Sequence, residues 1–247
     1  MNNNAEVYQL FFELASESRL SILQEITKQE SKMSEIARKL NLTSTEAFRQ
    51  LQRLSEALLI EKKPEGTYGV TEYGRIVLQL SSSFEFIFRN RQYFSTHDFH
   101  RLPYQFLNRI GELDPAFLLT DMIGNINIVE QLTREAEQYM WGGGTEQPLN
   151  IRPILRENIP KGATYRFLFP KRFISARQVP PEIDRAIEWR SMEDLPANII
   201  LTEKGAGICF LLAGGKADYV GFGGRDPMFA NWVKDLFLYY WDKGQRV

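Results

Sequence analysis

The sequence predicts an α+β protein built from two unlike parts. Over the first 80 or so residues apolar side chains recur three or four apart, the period of helices, and then switch briefly to short extended runs around a turn. Beyond the Gly/Pro-rich break expected at "WGGGTEQPLNIRP", strands alternate with helices and the chain closes on one strong helix. At 247 residues and 43% hydrophobic content, the chain can bury the cores of one large domain or two modest ones.

In the first part, Val7, Leu10, Phe11 and Leu14 form one helical stripe. Leu20, Ile22, Leu23 and Ile26 form a second, and Met33, Ile36, Ala37 and Leu40 a third. Asn41 breaks the pattern, and Thr43 or Ser44 can cap a fourth helix running to about Leu58. "LIEKK" and "TYGVT" then read as strands separated by the turn "PEG". Helix, helix, helix, turn, helix, hairpin is the outline of a winged helix-turn-helix, with the fourth helix where recognition helices lie. We place this domain at residues 1–80.

Residues 81–247 form the second part. From Thr71 to about Phe94 the pattern is helical and aromatic, "FEFIFRNRQYF", which suits a linker or a dimerisation helix. Helices are expected to continue to Met140. "TYRFLF", "ANIILTEK" and "GICFLLAGGKADYVGFGG" read as strands, and "PPEIDRAIEWR" as helical or irregular. "DPMFANWVKDLFLYYW" is the closing helix, with Asp226 as its cap and Pro227 at its first position. The second part is expected to be an α/β sensor-like domain.

The fourth helix carries the functional argument. One face is apolar, so the other is free to meet a ligand. Arginine pairs bidentately with guanine and glutamine with adenine, while threonine and serine reach phosphates or bases. Thr43, Ser44 and Thr45 lie at the end expected to dock deepest, beside Phe48. Arg49 and Gln52 are the expected base readers and Arg53 the phosphate contact. Lys62, Lys63, Thr67 and Tyr68 are expected at the hairpin tip, near flanking backbone. The net charge of -1 excludes a basic coating protein but not a local reading head. Glu46, Glu56, Glu61 and Glu65 oppose phosphates, so double-stranded DNA is expected to be bound with modest affinity per subunit. Strong salt sensitivity and a homodimer reading a two-part site follow.

Other chemistry is thin. His97 and His100 in "HDFH" are the only histidines. Two histidines three apart on a helix can share a face, but Asp or Glu would have to complete a metal site, and we expect none. No Ser-His-Asp or Cys-His set can be assembled, so neither an enzyme nor a cofactor is expected. The single cysteine, Cys209, excludes an intrachain disulfide and fits a reducing cytoplasm. No leader peptide and no stretch of about 20 apolar residues points to a membrane. "GFGGRDP" precedes a helix N-terminus, where free N–H groups can hold an anion beside Arg225, although Asp226 competes for the cap. Arg166, Arg190, Glu203 and Asp218 lie on or near strands. With Arg225 they are the candidate ligands for a small-molecule effector, Arg166 foremost because a charge on an apolar strand needs a partner. The alternatives are an adaptor of the transcription machinery, or an enzyme acting on a small acidic metabolite.

"ELASESRLSILQEI", "MSEIARKLNLTSTEAFRQLQRL" and "YGVTEYGR" resemble the winged helix of archaeal ArsR-like transcriptional regulators. "YFSTHDFHRLPYQFLNRIGEL", "MWGGGTEQPL", "RENIPKGATYRFLFP", "EWRSMEDLPANIILTEKGAGICFLLAGGKADYVGFGGRD" and "WVKDLFLYYW" are similar to the methanogenesis-regulator (FilR-like) domain found behind such winged helices. The resemblance implies an archaeal transcription factor with a sensing or dimerising second domain, of a kind associated with methanogenesis and methyltransferase genes. Metal-sensing ArsR regulators carry cysteines near the recognition helix, and this chain has none there. The usual glycine near the end of that helix is here Leu58.

Overall fold

A computed structural model describes residues 3–145, 154–155, 157, 162–175 and 181–247, and the chain divides into two units, Met1–Ser82 and Ser83–Val247.

The first unit runs α1 (Asn3–Leu14), α2 (Glu17–Lys28), β1 (Ser31–Lys32), α3 (Met33–Lys39), α4 (Ser44–Glu56), β2 (Ile60–Lys62) and β3 (Thr67–Val70). It ends in the first part of α5 (Glu72–Arg89). Ile22, Leu23 and Ile26 of α2, Ile36 of α3, and Leu51 and Leu54 of α4 close one core with Leu59, Ile60, Tyr68 and Val70. The stripe expected on α1 packs only in part. Leu10 and Leu14 lie against the core, whereas Val7 and Phe11 stay exposed beside Tyr8 and Phe12. Strand β1, two residues long and too short to leave a periodic signal, joins β3 antiparallel, so the sheet order is β1-β3-β2.

Both helices of the helix-turn-helix end in six-to-one backbone bonds. After α3, the Leu42 N–H donates to the Ala37 carbonyl (2.9 Å), and Asn41 between them stands at φ 53°. Asparagine tolerates this left-handed region better than other side-chain-bearing residues. After α4, Leu59 N–H donates to Leu54 O and Leu58 N–H to Ser55 O, both 3.0 Å, with Leu58 at φ 60°. This geometry usually calls for glycine. At the hairpin tip Gly66 takes φ 87°, and its N–H donates to Lys63 O (2.9 Å).

The second unit is built on an eight-stranded mixed sheet, ordered β11-β7-β6-β5-β8-β9-β10-β4. Its elements in chain order are α6 (Arg91–Thr96), α7 (Tyr104–Leu107), a 3-10 turn (Ile110–Leu113), β4 (Phe117–Leu119), α8 (Met122–Glu135) and β5 (Tyr139–Gly143). There follow β6 (Thr164–Phe169), α9 (Lys171–Ser175), α10 (Pro181–Asp184), β7 (Ile187–Ser191), β8 (Ala197–Thr202), β9 (Gly205–Phe210) and β10 (Gly221–Gly224). The chain closes with α11 (Pro227–Lys243) and β11 (Gln245–Arg246). Strands β5, β6 and β7 are parallel neighbours, and the other pairings are antiparallel.

Side-chain alternation sorts the strands onto two cores. Leu168, Ala197, Leu201, Ile208, Phe210 and Phe222 face α11, whose Phe229, Trp232, Val233, Leu236 and Phe237 are fully enclosed. Tyr165, Phe167, Phe169, Ile187, Trp189 and Ile200 face the other way, toward Leu132 and Ala136. Each fully buried aromatic or leucine here contributes about 1.5–3 kcal/mol.

Several expectations are corrected. Helix does not continue from Phe94 to Met140, because β4 interrupts it and residue 139 already begins β5. The aromatic stretch is two helices, α5 and α6, joined at Asn90. "WGG" is not a break but the end of β5, where a Cβ on Gly142 would stand only 3.0 Å from the Phe167 ring. The rest of that proposed break, residues 146–153, lies outside the described residues. "IEWRS" is strand β7, in parallel register with β6, and only Pro181–Asp184 before it is helical.

Leu58 is 68% exposed, so little burial is lost if its side chain is removed. A left-handed non-glycine residue costs roughly 1–2 kcal/mol, offset in part by glycine's greater freedom when unfolded. Leu58→Gly is therefore expected to raise stability by about 0.5–1 kcal/mol, seen as a higher denaturant midpoint with unchanged slope.

Candidate nucleic-acid interface

Helix α4 is strongly two-sided. Ala47, Leu51 and Leu54 are fully buried, while Ser44, Thr45, Phe48, Arg49 and Gln52 are exposed. Its start is fixed by a reciprocal cap. The Thr43 hydroxyl accepts from Glu46 N–H (3.2 Å), and the Glu46 carboxylate accepts from Thr43 N–H (3.0 Å) and from the Thr43 hydroxyl (2.7 Å). The side-chain bond from Thr43, then the backbone bond, hold the Glu46 carboxyl below its ordinary range. Thr43 thus shapes the helix end rather than standing free. Thr45, Phe48, Arg49 and Gln52 fall one turn apart on the outward face. Among the described residues Arg49 has no hydrogen-bond or ion-pair partner. Gln52 donates to Glu56 (2.9 Å).

One expected contact residue, Tyr68, is corrected, and a second, Arg53, is partly engaged within its own domain. The Arg53 guanidinium is held by Glu13 (2.8 Å) and lies over the Phe12 ring, so its charge is already answered within the domain. Tyr68 is not at the hairpin tip. It pairs with Ser31 and Lys62 in the middle of the sheet and is buried in the core. Lys62 is exposed, with its ammonium 5.9 Å from the Tyr68 ring. Lys63 pairs with Glu61 (2.6 Å), and Thr67 donates to Glu65 (3.3 Å). The wing therefore neutralises part of its own charge.

Glu13, Arg19 and Gln50 escaped the sequence reading. Arg19 is only 6% exposed and Glu13 only 3%. Arg19 Nε–H donates to the Glu13 carbonyl oxygen (2.9 Å), Nη1 to Gln50 Oε1 (3.0 Å) and Nη2 to the Phe12 carbonyl (2.7 Å). Its Nε also lies 2.8 Å from the Glu13 carboxylate. Burial lowers the Arg19 pKa, opposed by Glu13 and aided by the charge of Arg53. The network ties α1, α2 and α4 together. The available signal was a charge on an apolar stripe, since Arg19 sits three and four residues before Ile22 and Leu23.

The candidate effector residues do not form one site. Arg166 and Arg190 come together, both beside Glu188 (3.3 and 3.6 Å). Glu203 instead accepts the backbone N–H groups of Glu137 (2.8 Å), Gln138 and Tyr139 (both 3.3 Å). Asp218 lies 3.2 Å from Nε2 of buried His97. Arg225 pairs with Glu135 (2.7 Å). Asp226 caps α11, accepting from Met228 N–H (2.8 Å) and Phe229 N–H (3.4 Å), so that helix end is satisfied internally. Gly221 is required where it stands, because a Cβ would run into the Ile208 carbonyl and the Cys209 backbone. His97 is buried and its Nδ1 is bonded to the Tyr93 carbonyl (2.7 Å), whereas His100 is exposed in a turn, so the two do not share a helix face. Burial pushes the Cys209 thiol up to about 12, against the opposing bond from Asn125, which leaves it a poor nucleophile.

The three-helix core, the capped second helix of the turn and the three-stranded wing define the first unit as a winged helix-turn-helix domain. Residues 17–87 match the family model described as winged helix-turn-helix. No curated protein matches the chain. Among solved structures it is similar to TrmBL2, described as an archaeal chromatin protein with a novel mode of DNA binding. That likeness has 11% identity over 100% of both chains and a TM-score of 0.46. NolR from Sinorhizobium fredii is 19% identical over 32% of this chain and 84% of its own, with a TM-score of 0.30. Nuc from Salmonella typhimurium, a phospholipase D family member, is 9% identical over 53% of this chain and 95% of its own, with a TM-score of 0.37. At these TM-scores the three likenesses carry no argument about function. Among the described residues no helix is long and apolar enough to cross a membrane.

Removing one member of a buried ion pair leaves an uncompensated charge. Glu13→Ala is expected to destabilise the protein by about 3 kcal/mol, measured by denaturant unfolding. Arg53→Ala, whose partner keeps Arg19, is expected to cost less.

Proposed function

We propose that this protein is a DNA-binding transcriptional regulator that reads a two-part operator as a homodimer, with its C-terminal unit binding an effector. One observation carries the reading. The outward face of α4 holds Thr45, Phe48, Arg49 and Gln52, while its inward face is locked into the core and its roll is fixed by Arg19 and Gln50. A helix held this firmly with its polar face outward suits the major groove, where Arg49 and Gln52 have the donors to read guanine and adenine. Ser44 and Lys62 are the further candidates for backbone contacts.

Dimerisation is supported by α5. Tyr73, Ile76 and Leu80 are exposed at three-to-four spacing on the part of this helix in the first unit, and Phe84 and Phe88 are exposed four apart on the part in the second. Such apolar surface favours burial against a second copy. Phe86 and Tyr93, from the same aromatic stretch, belong instead to the core of the second unit. The archaeal ArsR-like and FilR-like resemblance, and a place in the cytoplasm, belong to this proposal.

The test is selection of genomic fragments by the purified protein, with binding repeated across salt concentrations. An inverted repeat whose affinity falls steeply with salt is the expected result. On the selected site Arg49→Ala is expected to lose about 1–3 kcal/mol of specific affinity. Undiminished binding would remove Arg49 from the reading face, and no enrichment at all would favour docking on protein.

A further inference from the structure

We propose that the half-exposed strip of the C-terminal sheet beside α11 binds a compact multivalent anion, a metabolite carrying two or more carboxylate or phosphate groups. This deepens, and rests on, the reading of the C-terminal unit as the effector-binding part.

The strip is set by strand register. Trp141, Arg166 and Glu188 stand directly opposite one another across the parallel strands β5, β6 and β7, and so share one face. In the next row on that face, Gly143, Leu168, Arg190 and Arg246 follow across β5, β6, β7 and β11. From α11, Lys234 lies 5.6 Å from the rings of both Tyr139 and Trp141. Among the described residues, Arg166 and Arg190 pair with the one carboxylate of these rows, Glu188 (3.3 and 3.6 Å), while Lys234 lies beside Trp141 and Arg246 stands opposite Arg190 in register. A second carboxylate at the margin, Glu203, is engaged by three backbone N–H groups and by Lys204 (3.8 Å).

The cations are held in place with donors to spare. The Arg166 guanidinium sits between two indoles, 5.0 Å from Trp141 and 5.5 Å from Trp241. Arg190 lies 4.5 Å from the Trp241 ring and donates through Nη1 to the Trp241 carbonyl (2.7 Å). Trp141 stacks on Phe237 and Phe237 on Trp241, each at 5.5 Å, which makes a rigid wall. A guanidinium offers five N–H donors in a fixed fork. Among the described residues Arg166 makes no hydrogen bond and only the 3.3 Å ion pair with Glu188. Among the described residues, Arg190 Nε and Trp141 Nε1 are buried with no hydrogen-bond partner. Desolvated aromatic walls, excess positive charge and unfilled planar donors match a carboxylate or phosphate, which forks accept bidentately.

Full-length protein would be titrated with citrate and with pyrophosphate at constant ionic strength, sodium chloride serving as the control. Calorimetry and tryptophan emission give independent readouts, the second because Trp141 and Trp241 wall the strip. Saturable binding at one site per chain is expected for at least one probe. Tighter binding of citrate assigns the site to carboxylates, and tighter binding of pyrophosphate assigns it to phosphates. Arg166→Gln is expected to weaken binding at least about tenfold, while Lys216→Gln on an exposed loop leaves it unchanged. If Arg166→Gln does not fold by circular dichroism, Lys234→Gln at the rim is read in its place. No saturable binding, or equal affinity in wild type, Arg166→Gln and Lys234→Gln, overturns the proposal. Binding that leaves DNA affinity unmoved keeps the anion site and removes its effector role, which separates the two readings.

Discussion

Glu13 lies between two arginines where water hardly reaches, and the bearing of α4 depends on that meeting. Arg19 answers the Glu13 charge from α2, and Arg53 answers it from α4. Gln50, one helical turn before Arg53, accepts a further bond from Arg19. The apolar contacts of Ala47, Leu51 and Leu54 hold α4 against the core but are non-directional. Hydrogen bonds and buried charges have direction, so they fix which residues of α4 turn outward. A buried ion pair adds little net stability because desolvation offsets its attraction. Its consequence here is orientation, and the outward face that results is the one carrying Thr45, Phe48, Arg49 and Gln52.

The same division of labour holds in the second unit. Alternation along β6 sends Tyr165, Phe167 and Phe169 to one core and Leu168 to the other, leaving Arg166 on the α11 side. Glycine at position 143 keeps the row of Leu168 and Arg190 low, while Trp141, Phe237 and Trp241 wall the row of Arg166. Arg166 is tolerated on an apolar strand because its face is answered by indoles and its charge by Glu188. Charge on the two units is arranged differently. In the wing, Lys63 and Thr67 are met by Glu61 and Glu65, whereas among the described residues Arg166 and Arg190 share the single carboxylate of Glu188.

Much of the first unit was legible in the sequence because its elements are local. A helical stripe such as Ile22–Leu23–Ile26, a cap such as Thr43 with Glu46 three residues on, and a turn such as "PEG" are each decided within a few residues. What failed there was non-local. Nothing in "SK" announces β1, which exists only because β3 offers it an edge. Tyr68 looked like a tip residue until strand pairing placed it at the sheet centre. In the second unit "WGG" and "IEWRS" were misread for the same reason, since glycine and mixed polarity are strand-compatible only where neighbouring strands supply the bonds and the close approach.

By itself the sequence determined the helix-turn-helix order, the capped α4 with its apolar stripe, the wing, and the Pro-led closing helix. These follow from short-range periodicity and backbone stereochemistry. Only the tertiary structure decided that Arg53 reaches Glu13 while Arg49 stays exposed without a hydrogen bond. It also decided that Asp218 meets His97, and that Arg166 and Arg190 share a strip with Lys234 and Arg246. The physical reason is that a charged side chain is assigned its role by whichever group lies within about 4 Å of it, and such neighbours come from strands and helices far apart in the chain.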